Sequence, residues 1–328
     1  MRREGSVAGA ACRRECERAD GIGARFVPEG LGLLPVGDAA VVLELGEQAL
    51  ALCTQLGDDY ERTNSLKLIA VSHLLLGRHR EADHYFELAL ALARSLCARR
   101  NVGAMLSNLG ESARARGDYR SAIGYYQEAI TVAREIGSRE SELLYRSNLG
   151  GARVGIGANE LPAAEADLKQ VLAQDRRVAF LFSETYRFLA EALVGQGKVT
   201  QAFEAARKAQ ALGVETENQD HIAAAWRALG CVMADPAFER PAELSELTAS
   251  IPFRNCAACF AESLKSFTAM GAEAERARTL RAWGRYEFTH GDQAHGAAMR
   301  EEARSIFRRL DMELEIERMN VEEADWAS

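Results

Sequence analysis

The chain has 328 residues, of which 48% are hydrophobic and 27% charged, and its net charge is −8. Such an acidic chain lacks the basic footprint that non-specific nucleic-acid binding needs, so nucleic acid is excluded as a direct partner. Seven cysteines, an odd number spread irregularly, do not fit a secreted disulfide framework and favour a cytoplasmic protein. Ala, Leu, Glu and Arg dominate, without sustained β-type alternation, which predicts helix throughout.

The N-terminal part of the chain divides into a tail and a first helix. Residues 1–30 show no helical period and are predicted to be a poorly ordered tail without the apolar core of a signal peptide. A helix is predicted at about 38–56, and we interpret 31–57 as a partial, capping repeat. Polar residues are expected to interrupt every apolar stretch before the ~18 residues of a membrane span, so no membrane segment is predicted.

A period of forty residues organises the chain from residue 58 to residue 318. The tetrapeptide Ser-Asn-Leu-Gly occurs at 107–110 and again at 147–150. Extending this step gives a column of small residues behind large apolar ones, at Ala70, Gly110, Gly150, Ala190 and Gly230. A second column, seven residues later, predicts left-handed helix ends at Gly77, Gly117, Gly157 and Gly197. The large residues that follow, Phe86, Tyr126, Leu168 and Phe260, are predicted to fill the space between paired helices.

These columns resemble the tetratricopeptide repeat family over roughly residues 36–310. The likeness is strongest at Leu109–Gly110, Gly117–Tyr119, Ala122, Tyr126 and Ala129. It implies an all-α fold, a right-handed α-solenoid of antiparallel helical hairpins. The period is forty residues in place of about 34, and the closing proline of the family motif is missing. Long-period arrays of this kind resemble those of bacterial signalling proteins, where they follow an ATPase, cyclase, kinase or DNA-binding module.

The second half of the chain carries an insertion and an acidic end. Pro236, Pro241 and Pro252 predict a mobile loop at 234–251, with a short helical turn at 242–247. A last helix is predicted at about 295–318, followed by an acidic tail at 319–328.

The sequence predicts no catalytic, cofactor or metal site. The segment 194–200 resembles a phosphate loop but lacks its first Gly and the Ser or Thr after Lys198. Cys256 and Cys259 lack a second ligand pair, and we interpret them as buried core thiols. The histidines form no zinc or triad pattern, so an enzyme is not predicted.

A binding surface is implied by the family resemblance, because the first helices of tetratricopeptide hairpins line a concave face. Transferred residue by residue, this face includes Lys67, Asn108, Asn148, Arg187, Arg227, Arg278, Arg281 and Arg285. The asparagines are expected either to bind a peptide backbone or to bond a neighbouring helix. Arg187 could instead pair with Glu184 and Glu191.

Three arginines near the C-terminus, Arg278, Arg281 and Arg285, share one helix face without obvious neutralisation. This stripe predicts an acidic partner, the chain's own segment 313–325 folded back on it, or only a solvated face.

The leading hypothesis is therefore a protein-interaction scaffold or sensor that binds a peptide or partner segment. The alternative is the regulatory C-terminal array of a larger signalling ATPase, cyclase or transcription regulator. The third reading is a helical-repeat enzyme, such as a phosphatase of the response-regulator type.

Overall fold

The computed structural model describes residues 36–174, 181–239 and 255–327. Within these ranges every regular element is an α-helix, which confirms the all-α fold. The helices are α1 (Val36–Leu56), α2 (Asp59–Leu75), α3 (His79–Ser95), α4 (Arg99–Ala115), α5 (Tyr119–Glu135), α6 (Arg139–Ile156), α7 (Leu161–Leu172), α8 (Phe182–Val194), α9 (Val199–Glu215), α10 (Gln219–Met233), α11 (Cys256–Met270), α12 (Glu273–His290), α13 (Gln293–Arg309) and α14 (Glu313–Ala327). The predicted tail at 1–30 and the part of the insertion from 240 to 251 lie outside the described residues.

Left-handed residues separate consecutive helices at a regular interval. The predicted glycine column is confirmed, with φ of +72° at Gly77, +81° at Gly117, +104° at Gly157 and +71° at Gly197. These positions end α2, α4, α6 and α8, the first helices of their hairpins. The second helices α3 and α9 end in the same way at Cys97 and Glu217, whose φ values are +54° and +53°. Each turn reverses the chain, because a left-handed residue halts the helix and satisfies its last carbonyls.

The small-residue column brings the two helices of a hairpin into close contact, as predicted. A Cβ added to Gly110 would lie 2.7 Å from the ring of Tyr126. A Cβ on Gly230 would lie 2.7 Å from the ring of Phe260, and one on Gly150 would lie 2.6 Å from Leu168. The glycines of the first helices therefore make the space that the large side chains of the second helices occupy.

The chain divides into two compact units. The first comprises the described residues up to 114 together with 121–145, and thus α1 to α5, apart from the α4–α5 turn, and the first part of α6. Its core contains the fully buried Ile69, Phe86, Met105 and Tyr126. Helix α1 joins this core as a second helix without a described first helix, and its Val42 packs with Leu68.

The second unit comprises residues 146–327 and the turn segment 115–120. One core cluster of this unit includes Leu168, Phe188, Phe203 and Trp226. A separate cluster lies at its C-terminal end, where Ile316 and Met319 of α14, with Met312 just before the helix, pack with α12 and α13.

Two expectations need correction. The helix predicted at 295–318 is two helices, α13 and α14, because Asp311 between them adopts a left-handed φ of +54°. The predicted boundary between array and tail at 318/319 therefore falls inside α14.

Helix α1 also contains a window, Ala39–Leu56, with a mean hydropathy of 1.2, which is long and apolar enough to cross a membrane. Core helices pass the same test, so this one helix among the described residues is weak evidence.

Candidate functional site

The first-helix face of the first unit presents Lys67 on α2 and Asn108 on α4. Both residues are half-buried between buried neighbours, so their backbones are fixed by packing while part of each side chain is accessible. Neither side chain makes a hydrogen bond or ion pair with another described residue. One turn after Asn108, Glu111 accepts a hydrogen bond of 2.9 Å from the Tyr126 hydroxyl. This face therefore offers a donor–acceptor amide that the first unit itself does not use.

The second unit presents the equivalent amide, Asn148, on α6. Its side chain is also half-buried and forms no hydrogen bond with another described residue. The neighbouring Ser147 makes the contact to the next first helix, with its hydroxyl 2.8 Å from that of Thr185. Sequence reasoning had left this interhelix role open for the asparagine, whereas the structure gives it to the serine.

An aromatic ring lies close to this amide in the same unit. The ring of Phe188 packs so tightly on Gly151 that an added Cβ would lie 2.3 Å from it. The guanidinium of Arg187 stacks on the Phe188 ring at 3.9 Å. The Phe188 ring is itself buried, so Asn148 is the accessible group of this part of the face.

Arg187 and Arg227 are engaged by carboxylates of the chain itself. Arg187 pairs at 3.0 Å with both Glu184 and Glu191, the local pairing that its spacing had suggested. Arg227 donates at 2.6 Å to Glu275, the third residue of α12. Both arginine side chains are largely buried; Arg227 links α10 to α12, whereas these two Arg187 pairs lie within α8.

The expected unneutralised arginine stripe is wrong for two of its three members. Arg278 donates at 3.0 Å to Glu315 and at 2.7 Å to the carbonyl of Ala115. Arg281 donates at 2.7 Å to Glu315 and at 2.5 Å to Glu322. The physical reason is that α14 lies against α12 and brings its carboxylates to the stripe. Arg285 is exposed and makes no hydrogen bond or ion pair with a described residue.

Glu315 is the centre of this charged region, and its side chain is 1% exposed. Burial alone would raise the pKa of its carboxyl group, but the guanidiniums of Arg278, Arg281 and Arg318 together hold that pKa below its ordinary value. The carboxylate is therefore charged at neutral pH. A buried charge of this kind requires all of its partners, because removing one leaves another uncompensated.

The ion pairs continue without interruption from α10 to α13. We call this series the charge network; in contact order it comprises Arg227, Glu275, Arg278, Glu315, Arg281, Glu322, Arg300, Glu323 and Arg304. Three of its four glutamates belong to α14. Sequence reasoning placed its three C-terminal acids in the acidic segment 313–325 but missed Arg300, whose side chain is 3% exposed. Arg300 and Arg304 lie four residues apart and therefore share one helix face. This spacing was the sequence feature that could have indicated a contact with acidic residues.

The turn segment 115–120 also contacts α14 within the second unit. Arg318 donates at 2.7 Å to the carbonyl of Gly117 and stacks on the ring of Tyr119 at 3.9 Å. The Tyr119 hydroxyl lies 3.4 Å from Glu315. Helix α14 is thus held from two sides.

The cysteines of α11 are buried, as expected. Cys256 and Cys259 are 5% and 0% exposed, and burial, with a small contribution from Cys256, raises the pKa of Cys259 to about 12. In the described ranges no group of three or more His, Cys, Asp or Glu side chains could hold a metal ion.

Comparison with known proteins follows from this geometry. The chain is a repeat protein built of antiparallel helical hairpins. A tetratricopeptide repeat model matches residues 102–136, which correspond to the α4–α5 hairpin. The α4–α5 hairpin is therefore similar to a tetratricopeptide repeat, and the described chain is a helical-repeat protein. No curated protein sequence matches it significantly.

Solved structures with the same fold include bacterial regulators. The Rap conjugation gene regulator of the plasmid pLS20, in complex with the Phr* peptide, is 13% identical, with a TM-score of 0.65 over 84% of this chain and 70% of that one. The apo form of RapI is 12% identical, with a TM-score of 0.64 over 83% and 93%. Aspartyl phosphate phosphatase F from Bacillus subtilis is 11% identical, with a TM-score of 0.65 over 84% and 68%. At these identities the likeness concerns the fold.

Proposed function

We propose that the chain is a protein-interaction module that binds an extended peptide or partner segment on the face formed by its first helices. The observation that carries the proposal is the state of Asn108 and Asn148. Each is held by a packed helix, is partly accessible, and leaves its amide without a partner among the described residues. An amide that the fold does not need is available to a ligand.

Asparagine suits the backbone of an extended peptide. Its carbonyl accepts from a peptide N–H while its NH₂ donates to a peptide C=O, so one side chain can satisfy both groups of a residue. Each such hydrogen bond contributes about 1 kcal/mol net. Because the backbone is common to all sequences, these bonds give affinity, and specificity would come from the other exposed side chains of this face.

The charge of the ligand follows from the cations that remain available. Lys67 and Arg285 make no ion pair with described residues, whereas Arg187, Arg227, Arg278 and Arg281 are compensated internally. We therefore infer that the partner carries acidic side chains at these two places.

No disulfide forms among the described cysteines, which supports a cytoplasmic setting.

A second candidate is the sensor array of a larger regulator. It is favoured by the shared fold of the Rap regulator from pLS20, a structure that contains the Phr* peptide. Both candidates place a peptide on the array and differ in what the peptide controls. The likeness to phosphatase F concerns the fold alone, and we assign the chain no reaction.

Selection from a random peptide library displayed on phage tests the proposal. We expect peptides that bind the parent protein and lose affinity when Asn108→Ala or Asn148→Ala is introduced. Gln127→Ala is the matched control, since it removes an exposed amide from the second helix α5. If no peptide is enriched, or if the selected peptides bind the asparagine variants and the parent equally well, the proposal is wrong.

A further inference from the structure

The side of helix α14 that faces α12 and α13 carries both apolar and acidic residues. Ile316 and Met319, together with Met312 just before the helix, are buried in the C-terminal core cluster. Glu315, Glu322 and Glu323 contact the arginines of α12 and α13. Its opposite side is open to solvent, with Leu314 39% and Val321 63% exposed. The helix therefore resembles a bound amphipathic ligand more than a core element.

The surface that receives α14 is built for carboxylates at defined places. Both carboxylates that Arg281 contacts, Glu315 and Glu322, come from α14. Arg300, which is almost fully buried, donates at 3.1 Å to the carbonyl of Met319 and pairs with Glu322 and Glu323. Without α14 the Arg281 guanidinium would lie beside the apolar cluster without either of these carboxylates. Such a surface favours the binding of a group that restores these ion pairs.

Other arginines of the region do not depend on α14 in this way. Arg278 keeps Glu275, and Arg304 keeps Glu301 at 2.9 Å, because these glutamates lie on α12 and α13 themselves. The requirement for an external acid is thus clearest at Arg281. We define Arg281 and Arg300 with the buried Leu280, Met299 and Phe307 as the acidic-helix site.

We propose that the acidic-helix site is an exchangeable binding site, in which α14 is a resident occupant that an acidic amphipathic helix of a partner protein displaces. Two features make α14 the replaceable part. It is attached through the short connection 310–312 and buries one face, so it opens at a lower free energy than the core helices. Much of its contact consists of buried ion pairs, whose attraction is offset by the desolvation of the charges.

Displacement would also release a second contact. Arg318 leaves the Gly117 carbonyl and the Tyr119 ring when α14 departs. The α4–α5 turn then loses its link to the C-terminal helix. This inference does not involve Asn108 or Asn148, so it stands or falls separately from the proposed function.

A labelled synthetic peptide of residues 311–328, added to the full-length protein, tests the exchange by fluorescence anisotropy. In the variant Glu315→Gln/Glu322→Gln the resident helix is weakened, so we expect the peptide to bind about tenfold or more tightly than to the parent. Glu317→Gln is the matched control, because Glu317 is an exposed acid of the same helix. Adding Arg281→Gln to the double variant should abolish the gain.

Equal peptide affinity for the parent and the double variant would overturn the proposal, and so would a gain that survives Arg281→Gln. If the double variant loses its helical circular dichroism, the single variant Glu322→Gln provides the same test, since the Glu322 side chain is 22% exposed and its removal is milder. A peptide in which residues 315, 322 and 323 are Gln should not bind any of these chains.

Discussion

The helix packing can be tested most sharply at Gly110, where the structure leaves no room for a side chain. A Cβ at this position would lie 2.7 Å from Cε1 of Tyr126, below the distance that real Cβ atoms adopt. Tyr126 cannot withdraw easily, because it is fully buried and its hydroxyl is bonded to Glu111 at 2.9 Å. Gly110→Leu therefore forces the two helices of the hairpin apart.

The magnitude follows from two opposing effects. Overpacking a close contact costs about 1–3 kcal/mol. Replacing Gly by Leu inside a helix regains somewhat less than ~1 kcal/mol of intrinsic helix propensity. Because leucine adds four heavy atoms against a buried ring, we expect the overpacking to prevail and a net loss of about 1–2 kcal/mol.

Gly124 on α5 is the matched control for this substitution. It lies in the same unit and in a helix, and an added Cβ would meet nothing within 4 Å. Gly124→Leu should be neutral or stabilising by up to ~1 kcal/mol. Urea unfolding followed by circular dichroism at 222 nm measures both variants against the parent. Equal midpoints for Gly110→Leu and the parent, or an equal loss for both variants, would refute the packing described here.

Three further predictions concern charge and thiols. In a double-mutant cycle, Glu315→Gln and Arg281→Gln should be non-additive by about 0.5 kcal/mol or more, with a coupling that shrinks in high salt; additive effects would mean that the pair is not energetically linked. Because arginines hold the pKa of Glu315 and Glu322 below the ordinary carboxyl value, these groups stabilise the fold above that value, and the contribution is lost as the pH falls through the lowered pKa. The variant Glu315→Gln/Glu322→Gln should accordingly show a flatter acid limb in thermal melts, and an unchanged limb would contradict this. Iodoacetamide at pH 8 should label the exposed Cys97 before Cys259, whose pKa burial raises to about 12; mass spectrometry that finds the reverse order would contradict the burial of Cys259.

The repeat could be predicted from sequence because it uses residues with unusual backbone or packing properties. Gly77 and Gly117 occupy left-handed positions that favour glycine, and Gly110 and Gly150 face large side chains, so both columns were visible. The ends of the second helices were less visible, since Cys97 and Glu217 adopt the same conformation without glycine. The fold was therefore readable from one helix of each hairpin.

The break between α13 and α14 could not be predicted for the same reason. Leu310, Asp311 and Met312 include neither Gly nor Pro, although Asp311 adopts a left-handed φ and Met312 beside it is buried in the C-terminal cluster. The helical period continues across the connection between α13 and α14, so the sequence did not indicate that the chain reverses there.

The ion pairs could be predicted from the sequence only where the two partners lie close together in the chain. The pairing of Arg187 with Glu184 and Glu191 follows from spacings of three and four residues. The partners of Arg281 lie 34 and 41 residues away, on a helix whose separate existence the sequence did not indicate. The arginine stripe therefore looked uncompensated in the sequence, although the acidic segment 313–325 was one of its three possible interpretations.

The central claim is that Asn108 in the first unit and Asn148 in the second each bind a peptide backbone. Isothermal titration of a phage-selected peptide, compared with the same peptide N-methylated at single backbone positions, tests it most directly. If Asn148 makes two backbone hydrogen bonds, Asn148→Ala should weaken binding on the order of thirtyfold, and methylation at the contacted amide should cost no further affinity in that variant. Methylation that weakens the parent and the variant by the same factor would show that the asparagine does not contact the peptide backbone.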